Sequence, residues 1–306
     1  MGTRFSVKLV APDEAIDKDK LQQQLVQILA RIEERMSTFV ADSELSRFNA
    51  SSSTGWIAVS DELCSIVESA IEVSQLTGGA FDVTVGPLVN LWGFGPDGSA
   101  TEPPSDEDIL RARQRVGFEK LDVNCSAPAI RKLHSDVYVD LSAYAKGYAV
   151  DQLAELLDRA AFKDYLVEIG GELRMRGRNA STEDWAIAVE KPIGYERDIQ
   201  TVVRLTDTAM ATSGGYRNYF EHRGNRYSHT IDSNTGRPVT HNVAAVTVIS
   251  DTAAFADAIA TALLVLGMEQ GLEFAERENI AAYFLVRNES GIEGHMTGMF
   301  AGRMSR

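Results

Sequence analysis

The chain has 306 residues, of which 44% are hydrophobic and 24% are charged, a composition typical of a globular protein with a substantial buried core. Its formal net charge is −14 at pH 7. That charge argues against nucleic acid or an anionic membrane surface as a partner, because both require clustered Lys and Arg side chains. Any phosphate that the protein binds must therefore be held by local groups.

The sequence contains two cysteines, Cys64 and Cys125. Two cysteines cannot build a disulfide framework, and the sequence does not show whether they pair with each other. We interpret them as thiols in the protein core. The first residues, Met1 to Val7, show no basic region, apolar region or lipobox cysteine of an export signal.

The first quarter of the chain predicts a strand, two helices and a polar loop. Apolar and polar residues alternate over Phe5–Leu9, which indicates a half-buried strand. Apolar residues then recur at helical spacing over Leu21–Met36, which predicts an amphipathic helix. The polar segment Asp42–Asn49 predicts a loop, and a second helix is expected from Ser60 to Thr77.

A segment rich in glycine and aromatic residues, Gly79–Gly95, follows the second helix. The backbone of such a loop can approach a planar ligand closely because glycine has no side chain, and its aromatic rings can stack on the ligand. A turn followed by ordinary core packing explains the composition equally well. Further along, Ser105 and Asp108 predict a capping box that begins a surface helix.

A strand-like run near Val137 leads directly into Asp140–Asp151, which we interpret as a junction between a strand and a helix. Ser142 is the expected N-cap. A helix N-terminus presents free N–H groups and partial positive charge, and Lys146 adds a full charge nearby, so the junction fits a phosphate group. The alternative is a solvated lysine on an ordinary helix, which is the commoner arrangement.

The second half of the chain alternates strands and glycine-rich turns. The run Tyr165–Leu173 predicts a strand with a glycine bulge or turn, and Val243–Ile249 and Ile280–Val286 predict two more strands. Strands and helices mix without regular βαβ alternation, which favours an α+β fold. His229 is one of five histidines, and a lone histidine is more often structural than catalytic.

The segment Ala253–Gly267 predicts a buried helix around which the chain is organised. Asp257 precedes Thr261 by four residues, so the two side chains stack on one helix face and offer two oxygen ligands. A cation such as Mg²⁺ would remove the cost of burying the carboxylate. Alternatively, Asp257 complements the dipole of a helix N-terminus, and the helix alone does not separate the two explanations. The longest apolar run, Ile259–Met268, is too short to span a bilayer.

Several of these stretches, taken together and in this order, resemble the ApbE family of FAD:protein FMN transferases. The match extends from the first residue to near the last. It rests on the blocks Met1–Thr3, Asp42–Asn49, Ala80–Gly95, Asp140–Asp151, Val167–Leu173, Thr212–Tyr219, Ser228–Gly236 and Val246–Gly267.

The resemblance implies a single α+β domain over residues 1–306, with a T-fold-like core and two closely packed lobes around an FAD cleft. It implies a transferase that uses Mg²⁺, splits FAD at its pyrophosphate, attaches FMN through a phosphoester to a threonine or serine of a target protein, and releases AMP. The targets implied are subunits of membrane redox pumps and related electron-transfer proteins.

The resemblance also assigns roles to individual residues. Asp257 and Thr261 correspond to side-chain metal ligands, with main-chain oxygens of Ala143 and Ala260 as further ligands. His229 corresponds to the base that accepts the proton of the attacking hydroxyl. The positions that match FAD contacts are Met1, Phe39, Ala80, Phe81, Asp82, Asp140, Lys146 and Ile231.

Phe39 stands where relatives often carry tyrosine, which retains stacking and removes a phenol hydrogen bond. Two alternative functions remain. The first is that of an Mg²⁺-dependent pyrophosphatase, which hydrolyses FAD to FMN and AMP. The bulk of Phe39 favours exclusion of water and therefore favours transfer over this hydrolysis. The second alternative is a flavin-binding protein without activity. The resemblance further implies a periplasmic protein, anchored as a lipoprotein in its full-length form.

Overall fold

The computed structural model describes residues 2–10, 16–96, 98, 100–192, 198–215 and 218–304. Within these ranges the helices are α1 Lys18–Met36, α2 Glu44–Ala50, α3 Asp61–Leu76, α4 Gly86–Leu91, α5 Asp106–Arg113, α6 Ser142–Arg159, α7 Ala253–Arg277 and α8 Gly298–Met304. The strands are β1 Phe5–Leu9, β2 Ile57–Ala58, β3 Leu121–Asn124, β4 Ala129–Lys132, β5 Tyr165–Ile169, β6 Glu172–Arg176, β7 Trp185–Glu190, β8 Ile199–Leu205, β9 Thr208–Gly214, β10 Tyr219–His222, β11 Asn225–Ser228, β12 Ile231–Asp232, β13 Arg237–Pro238, β14 Val243–Ser250, β15 Ala281–Asn288 and β16 Gly291–Met296.

The chain divides into two compact units. The first unit comprises Met1–Ile32, Tyr144–Tyr216 and Asn242–Arg306, and the second comprises Glu33–Ala143 and Arg217–His241. Strands and helices mix without regular βαβ alternation and the largest sheet of the described residues is antiparallel, so the predicted α+β class is confirmed.

The first unit is built on a seven-stranded sheet in the order β1-β5-β6-β9-β14-β15-β16, in which every pair of neighbours is antiparallel. Strand β14 is buried along seven of its eight residues, which explains its continuous run of valine, alanine and isoleucine. Helix α7 packs on β9 and β14. The β7–β8 hairpin contributes Trp185 and Ile187 to the core on which Phe300 of α8 also packs.

Helix α7 begins at the predicted residue and continues beyond the predicted end. Thr252 caps it by accepting a hydrogen bond from the Phe255 N–H. At Gly267 the backbone leaves helical geometry (φ 77°, ψ −170°), so α7 is two helices joined at a kink. By length and composition α7 could span a membrane, but 61% of its apolar window is buried inside the protein. The prediction of a buried core helix is confirmed.

The second unit contains short helices and small sheets, of which β2-β4-β3 is the largest. Its core includes Leu88, Trp92, Ile109 and Ile231. Ser105 caps α5 as predicted, because its Oγ accepts from the Asp108 N–H, and the Asp108 carboxylate accepts from the Ser105 hydroxyl. The prediction of free thiols is wrong: Cys64 of α3 and Cys125, which follows β3, form a disulfide.

Three local predictions fail where tertiary contacts decide the backbone. The predicted loop Asp42–Asn49 contains helix α2, which Ser43 caps and whose apolar face buries Leu45 and Phe48. The glycine-rich segment contains helix α4, with proline in its first turn. Val137 lies outside any strand.

Ser142 is the first residue of α6 rather than the predicted cap. Its N–H and hydroxyl both donate to Asp140 Oδ1, at 2.8 and 2.5 Å. The Asp140 carboxylate therefore caps the start of α6. It accepts both hydrogen bonds, and its negative charge interacts favourably with the positive end of the helix dipole.

Candidate active site

Asp257 lies on a buried face of α7. It is 2% exposed, and its neighbours Ala256, Ala258, Ile259 and Ala260 are fully buried. Burial raises the pKa of this carboxyl, while Lys146 and the Gly147 N–H oppose that rise. A group this deep needs specific partners, so complementing the helix dipole cannot by itself account for Asp257.

The partners of Asp257 come from α6 and β6. Lys146 Nζ lies 3.3 Å from Asp257 Oδ1, 3.2 Å from Asp257 Oδ2 and 3.3 Å from Glu172 Oε1. The Gly147 N–H donates to Asp257 Oδ2 at 3.2 Å. We call Lys146, Glu172 and Asp257 the carboxylate–lysine cluster. One ammonium thus lies between two buried carboxylates.

The electrostatics of the carboxylate–lysine cluster are unbalanced. Burial raises the pKa of the Glu172 carboxyl, and the Asp257 charge raises it further against the opposing ammonium of Lys146. Burial alone would lower the pKa of Lys146, but the two carboxylates more than reverse that effect and raise it. With both carboxylates ionised, the cluster carries one uncompensated negative charge.

The oxygen donors in this region fit a hard divalent cation. Glu172 Oε2 is buried and has no hydrogen-bond partner among the described residues. Thr261, one helical turn beyond Asp257, shares a hydrogen bond of 3.0 Å with Ser213 of β9. Carboxylate and hydroxyl oxygens are the ligands that Mg²⁺ takes in proteins, and a bound cation would stabilise the ionised form of both acids.

The contact between α6 and α7 is fixed by close packing and a capping carboxylate. A Cβ atom on Gly147 would lie 2.2 Å from the Ala253 carbonyl oxygen, so only glycine permits this approach. Asp151 accepts hydrogen bonds from the Ala253 and Ala254 N–H groups at 3.0 and 2.9 Å, and Arg174 pairs with it at 2.8 Å. These contacts hold Lys146 against Asp257 through the backbone of both helices.

In the second unit, Asp82 is also buried, and both of its carboxylate oxygens accept hydrogen bonds from the protein itself. Oδ1 accepts from the Thr84 N–H and hydroxyl at 2.7 and 2.6 Å, and Oδ2 accepts from the Phe118 N–H at 3.2 Å. Burial raises its pKa, and these hydrogen bonds oppose the rise. Ala80 and Phe81 are buried beside it, their N–H groups bonded to Thr77.

An aromatic stack of Trp92, Phe220 and Tyr227 lies in the second unit, with ring centroids 5.0 to 6.4 Å apart. Trp92 Nε1 donates to the Gly236 carbonyl at 2.8 Å, which ties α4 to the turn after β12. Ile231, a predicted FAD contact, is buried against this stack.

His229 lies at the edge of the same region. Phe94 approaches its ring edge-on, with centroids 6.2 Å apart. His229 Nδ1 lies 3.1 Å from the Asn218 carbonyl oxygen. A carbonyl only accepts, so Nδ1 carries the proton and Nε2 carries the lone pair of the neutral ring. This tautomer is the one in which Nε2 can accept a proton.

The remaining predicted site residues occupy varied settings. Phe39 follows α1 and is 66% exposed. Asp140 donates its N–H to the Val83 carbonyl at 2.7 Å. Ala143 is the second residue of α6, and Ala260 is buried within α7. Met1 lies outside the described residues.

Sequence reasoning missed Glu172, Asp151, Arg174 and Ser213. Glu172 falls within a block that carried the family resemblance, where it looked like one more residue of a strand. An acidic residue directly after a Gly-Gly turn in an apolar hairpin is a signal for burial next to a partner. No local pattern marks the other three, since their partners lie far along the chain.

The chain is similar to known proteins over most of its length. The model of the ApbE family matches residues 1–284. The FAD:protein FMN transferase of Vibrio cholerae is 41% identical over 306 residues, covering 100% of this chain and 91% of the relative. That of Escherichia coli K12 is 41% identical over 305 residues, covering 98% and 86%.

Solved structures show the same backbone. The flavin transferase ApbE from Vibrio cholerae superposes with a TM-score of 0.91 at 40% identity and covers 99% of this chain and 96% of its own. The apo flavinyl transferase ApbE of Pseudomonas stutzeri gives 0.90 at 38% identity, covering 99% and 93%. With a family match over residues 1–284 and this level of identity, the chain belongs to the ApbE family.

Proposed function

We propose that this protein is an Mg²⁺-dependent FAD:protein FMN transferase. It cleaves FAD at the pyrophosphate, joins FMN through a phosphoester to a threonine or serine of a target protein, and releases AMP. The observation that carries the proposal is the carboxylate–lysine cluster, which supplies a cation next to surplus anionic oxygen in a chain of the ApbE family.

The reaction exchanges one phosphorus–oxygen bond for another. The target hydroxyl oxygen bonds to the FMN phosphorus, the bond from that phosphorus to the bridging oxygen breaks, and AMP leaves with the bonding electron pair. The hydroxyl proton passes to a base. We assign this role to His229, because its hydrogen bond to the Asn218 carbonyl leaves the lone pair on Nε2.

Asp257 and Thr261 are the proposed side-chain ligands of Mg²⁺, and main-chain oxygens of Ala143 and Ala260 are the further ligands that the family resemblance implies. Bound Mg²⁺ supplies neutralisation of the charge on the phosphate oxygens. Lys146 adds a positive charge for the same phosphates. Its ammonium stays protonated at neutral pH because the two carboxylates raise its pKa.

The proposed FAD contacts are the eight positions given by the resemblance. Of these, Phe39 has the exposed ring that stacking on a planar ligand requires. Asp82 accepts hydrogen bonds on both oxygens, from Thr84 in its own turn and from Phe118, so its proposed contribution is to shape the backbone rather than to offer a free carboxylate.

The target is proposed to be a subunit of a membrane redox pump or a related electron-transfer protein, and the location to be the periplasm, with a lipoprotein anchor in the full-length form. The Cys64–Cys125 disulfide supports an oxidising compartment, because such bonds persist outside the reducing cytosol.

The test is incubation with FAD and Mg²⁺, with and without a target domain that bears an acceptor threonine. Intact mass of the target and AMP concentration are measured together. Transfer requires a mass gain of one FMN on the target with matching AMP. AMP released without the target would favour the pyrophosphatase instead, and a stable FAD complex with no AMP in either mixture would favour a flavin-binding protein without activity.

A matched control replaces the acceptor threonine by valine, which keeps the shape and removes the hydroxyl. FMN on that target would contradict attachment through the threonine oxygen.

A further inference from the structure

Glu172 is placed by a tight hairpin turn. Gly170 and Gly171 join β5 to β6 with φ values of 63° and 110°, which favour glycine. Ile169 pairs with Glu172 across this turn. The turn therefore fixes the start of β6 and holds the Glu172 side chain, which is 3% exposed, in the first unit beside Lys146.

The two oxygens of Glu172 differ in their surroundings. Oε1 lies 3.3 Å from Lys146 Nζ, whereas Oε2 is buried without a hydrogen-bond partner among the described residues. An orphaned oxygen in a buried carboxylate costs free energy unless something pairs with it. Lys146 does not remove this cost, because its ammonium also serves both oxygens of Asp257.

The carboxylate–lysine cluster therefore already binds one positive charge, the ammonium of Lys146. A single ammonium lies 3.2 to 3.3 Å from three carboxylate oxygens, and with both carboxylates ionised a second positive charge is needed for neutrality. Asp257 alone would neutralise Lys146. A second buried acid is therefore surplus to the needs of the lysine, and a divalent cation is the group that would use it.

We propose that Glu172 is the second anionic group of the divalent-cation site that includes Asp257, with Oε2 as the oxygen that faces the cation. This inference rests on the proposed function only in that the function uses a divalent cation. It assigns to Glu172 a part in metal binding that a counter-ion of Lys146 would not have.

The test is a titration of the protein with Mn²⁺, alone and with FAD present. Electron paramagnetic resonance measures the concentration of free Mn²⁺ and thus the affinity. Glu172→Gln keeps the size of the side chain and an acceptor oxygen for Lys146 but removes the charge. We expect Mn²⁺ affinity to fall at least about tenfold. The matched control is Glu168→Gln on the neighbouring strand, whose carboxylate accepts from Ser6 instead, and its affinity should equal that of the wild type.

A second variant, Lys146→Gln, keeps the inference testable if Glu172→Gln folds poorly by circular dichroism. Removal of the ammonium leaves two carboxylates for the metal, so Mn²⁺ should bind at least as tightly as to the wild type. Wild-type affinity in folded Glu172→Gln, a tenfold weakening in Lys146→Gln, or no Mn²⁺ binding by the wild type would each overturn the inference. The transfer assay reports the proposed function separately, since FMN attachment by Glu172→Gln with unchanged Mn²⁺ affinity would refute only the role of Glu172.

Discussion

Two lysines, one in each unit, differ in how their surroundings change the side-chain pKa. Lys146 of the first unit lies between two carboxylates, which raise its pKa against the effect of burial. Lys132 of the second unit is 0% exposed and donates to the main-chain carbonyls of Asn49 and Ser51, at 2.9 and 2.8 Å. Burial lowers its pKa to about 8, with the nearby Arg115 adding to this effect and Asp136 opposing it.

The difference shows what separates a structural buried charge from one suited to chemistry. Lys132 closes the C-terminal end of α2, where carbonyl groups lack helical partners, and it leaves no acceptor in excess. Lys146 shares its partners with a surplus anionic oxygen. The surroundings of Lys146 are therefore suited to a further cation, whereas those of Lys132 are not.

Asp257→Asn is the change expected to have the largest effect on the first of these sites. It keeps the side-chain volume and removes the charge that orients Lys146 and contributes to the cation site, so Mg²⁺-dependent FMN transfer should fall by at least about 1,000-fold. AMP release and target mass measure the loss. Near-normal transfer in a variant with wild-type circular dichroism would remove α7 from the site.

His229→Ala asks whether the second unit also contributes to the chemistry. If Nε2 accepts the hydroxyl proton, transfer should fall by about 100-fold or more at every pH tested. Rates measured from pH 5.5 to 8.5 decide the point. A wild-type rate across that range would exclude His229 as the base.

Lys146→Gln and Lys132→Gln compare the two lysines directly. Loss of the Lys146 ammonium should weaken FAD binding by about tenfold, because a charge-assisted contact to phosphate contributes about 1.5 kcal/mol or more. Lys132→Gln should leave FAD affinity unchanged. Isothermal titration calorimetry measures both, and equal affinity in Lys146→Gln and the wild type would argue against a phosphate contact.

The smallest effect concerns stability and is specific to Lys132. Its pKa of about 8 in the folded protein lies below the ordinary lysine value of 10.5, so between these limits the unfolded chain binds the proton and the folded chain does not. The free energy of unfolding should therefore rise with pH across that window, by at most about 1.4 kcal/mol per pH unit from this one group.

Urea denaturation of the wild type and Lys132→Met from pH 7 to 10 measures this contribution as a difference. The advantage of the wild type over Lys132→Met should grow as pH rises above 8. A constant difference would show that Lys132 titrates normally in the folded protein, and the contrast between the two lysines would then fail.

Much of the fold follows from local patterns in the sequence. The alternation in β1, the apolar runs of β14 and β15, and the helical spacing of α1, α3 and α7 are each set by residues within one element. The failures, such as α2 in a polar segment, occur where two apolar residues suffice because the surrounding core buries them. A short polar helix has no strong period of its own.

The candidate site was only partly readable in the same way. Asp257 and Thr261 could be paired from the sequence, since helical pitch places residues four apart on one face. The sequence also suggested Lys146 as a phosphate ligand, but not that it contacts Asp257, 111 residues away. The Cys64–Cys125 pairing, across 61 residues, was beyond local reasoning for the same reason.

By itself, then, the sequence determined the apolar helix α7, the placement of Asp257 and Thr261 on one face of it, and the resemblance to a family. Only the tertiary structure decided the charge balance around Asp257. The physical reason is that helical pitch and side-chain alternation act over a few residues, whereas a pKa depends on every charge within a few ångströms, whichever part of the chain supplies it. Burial of Glu172 beside Lys146 is a property of the packed sheet and helices, and it appears only when they meet.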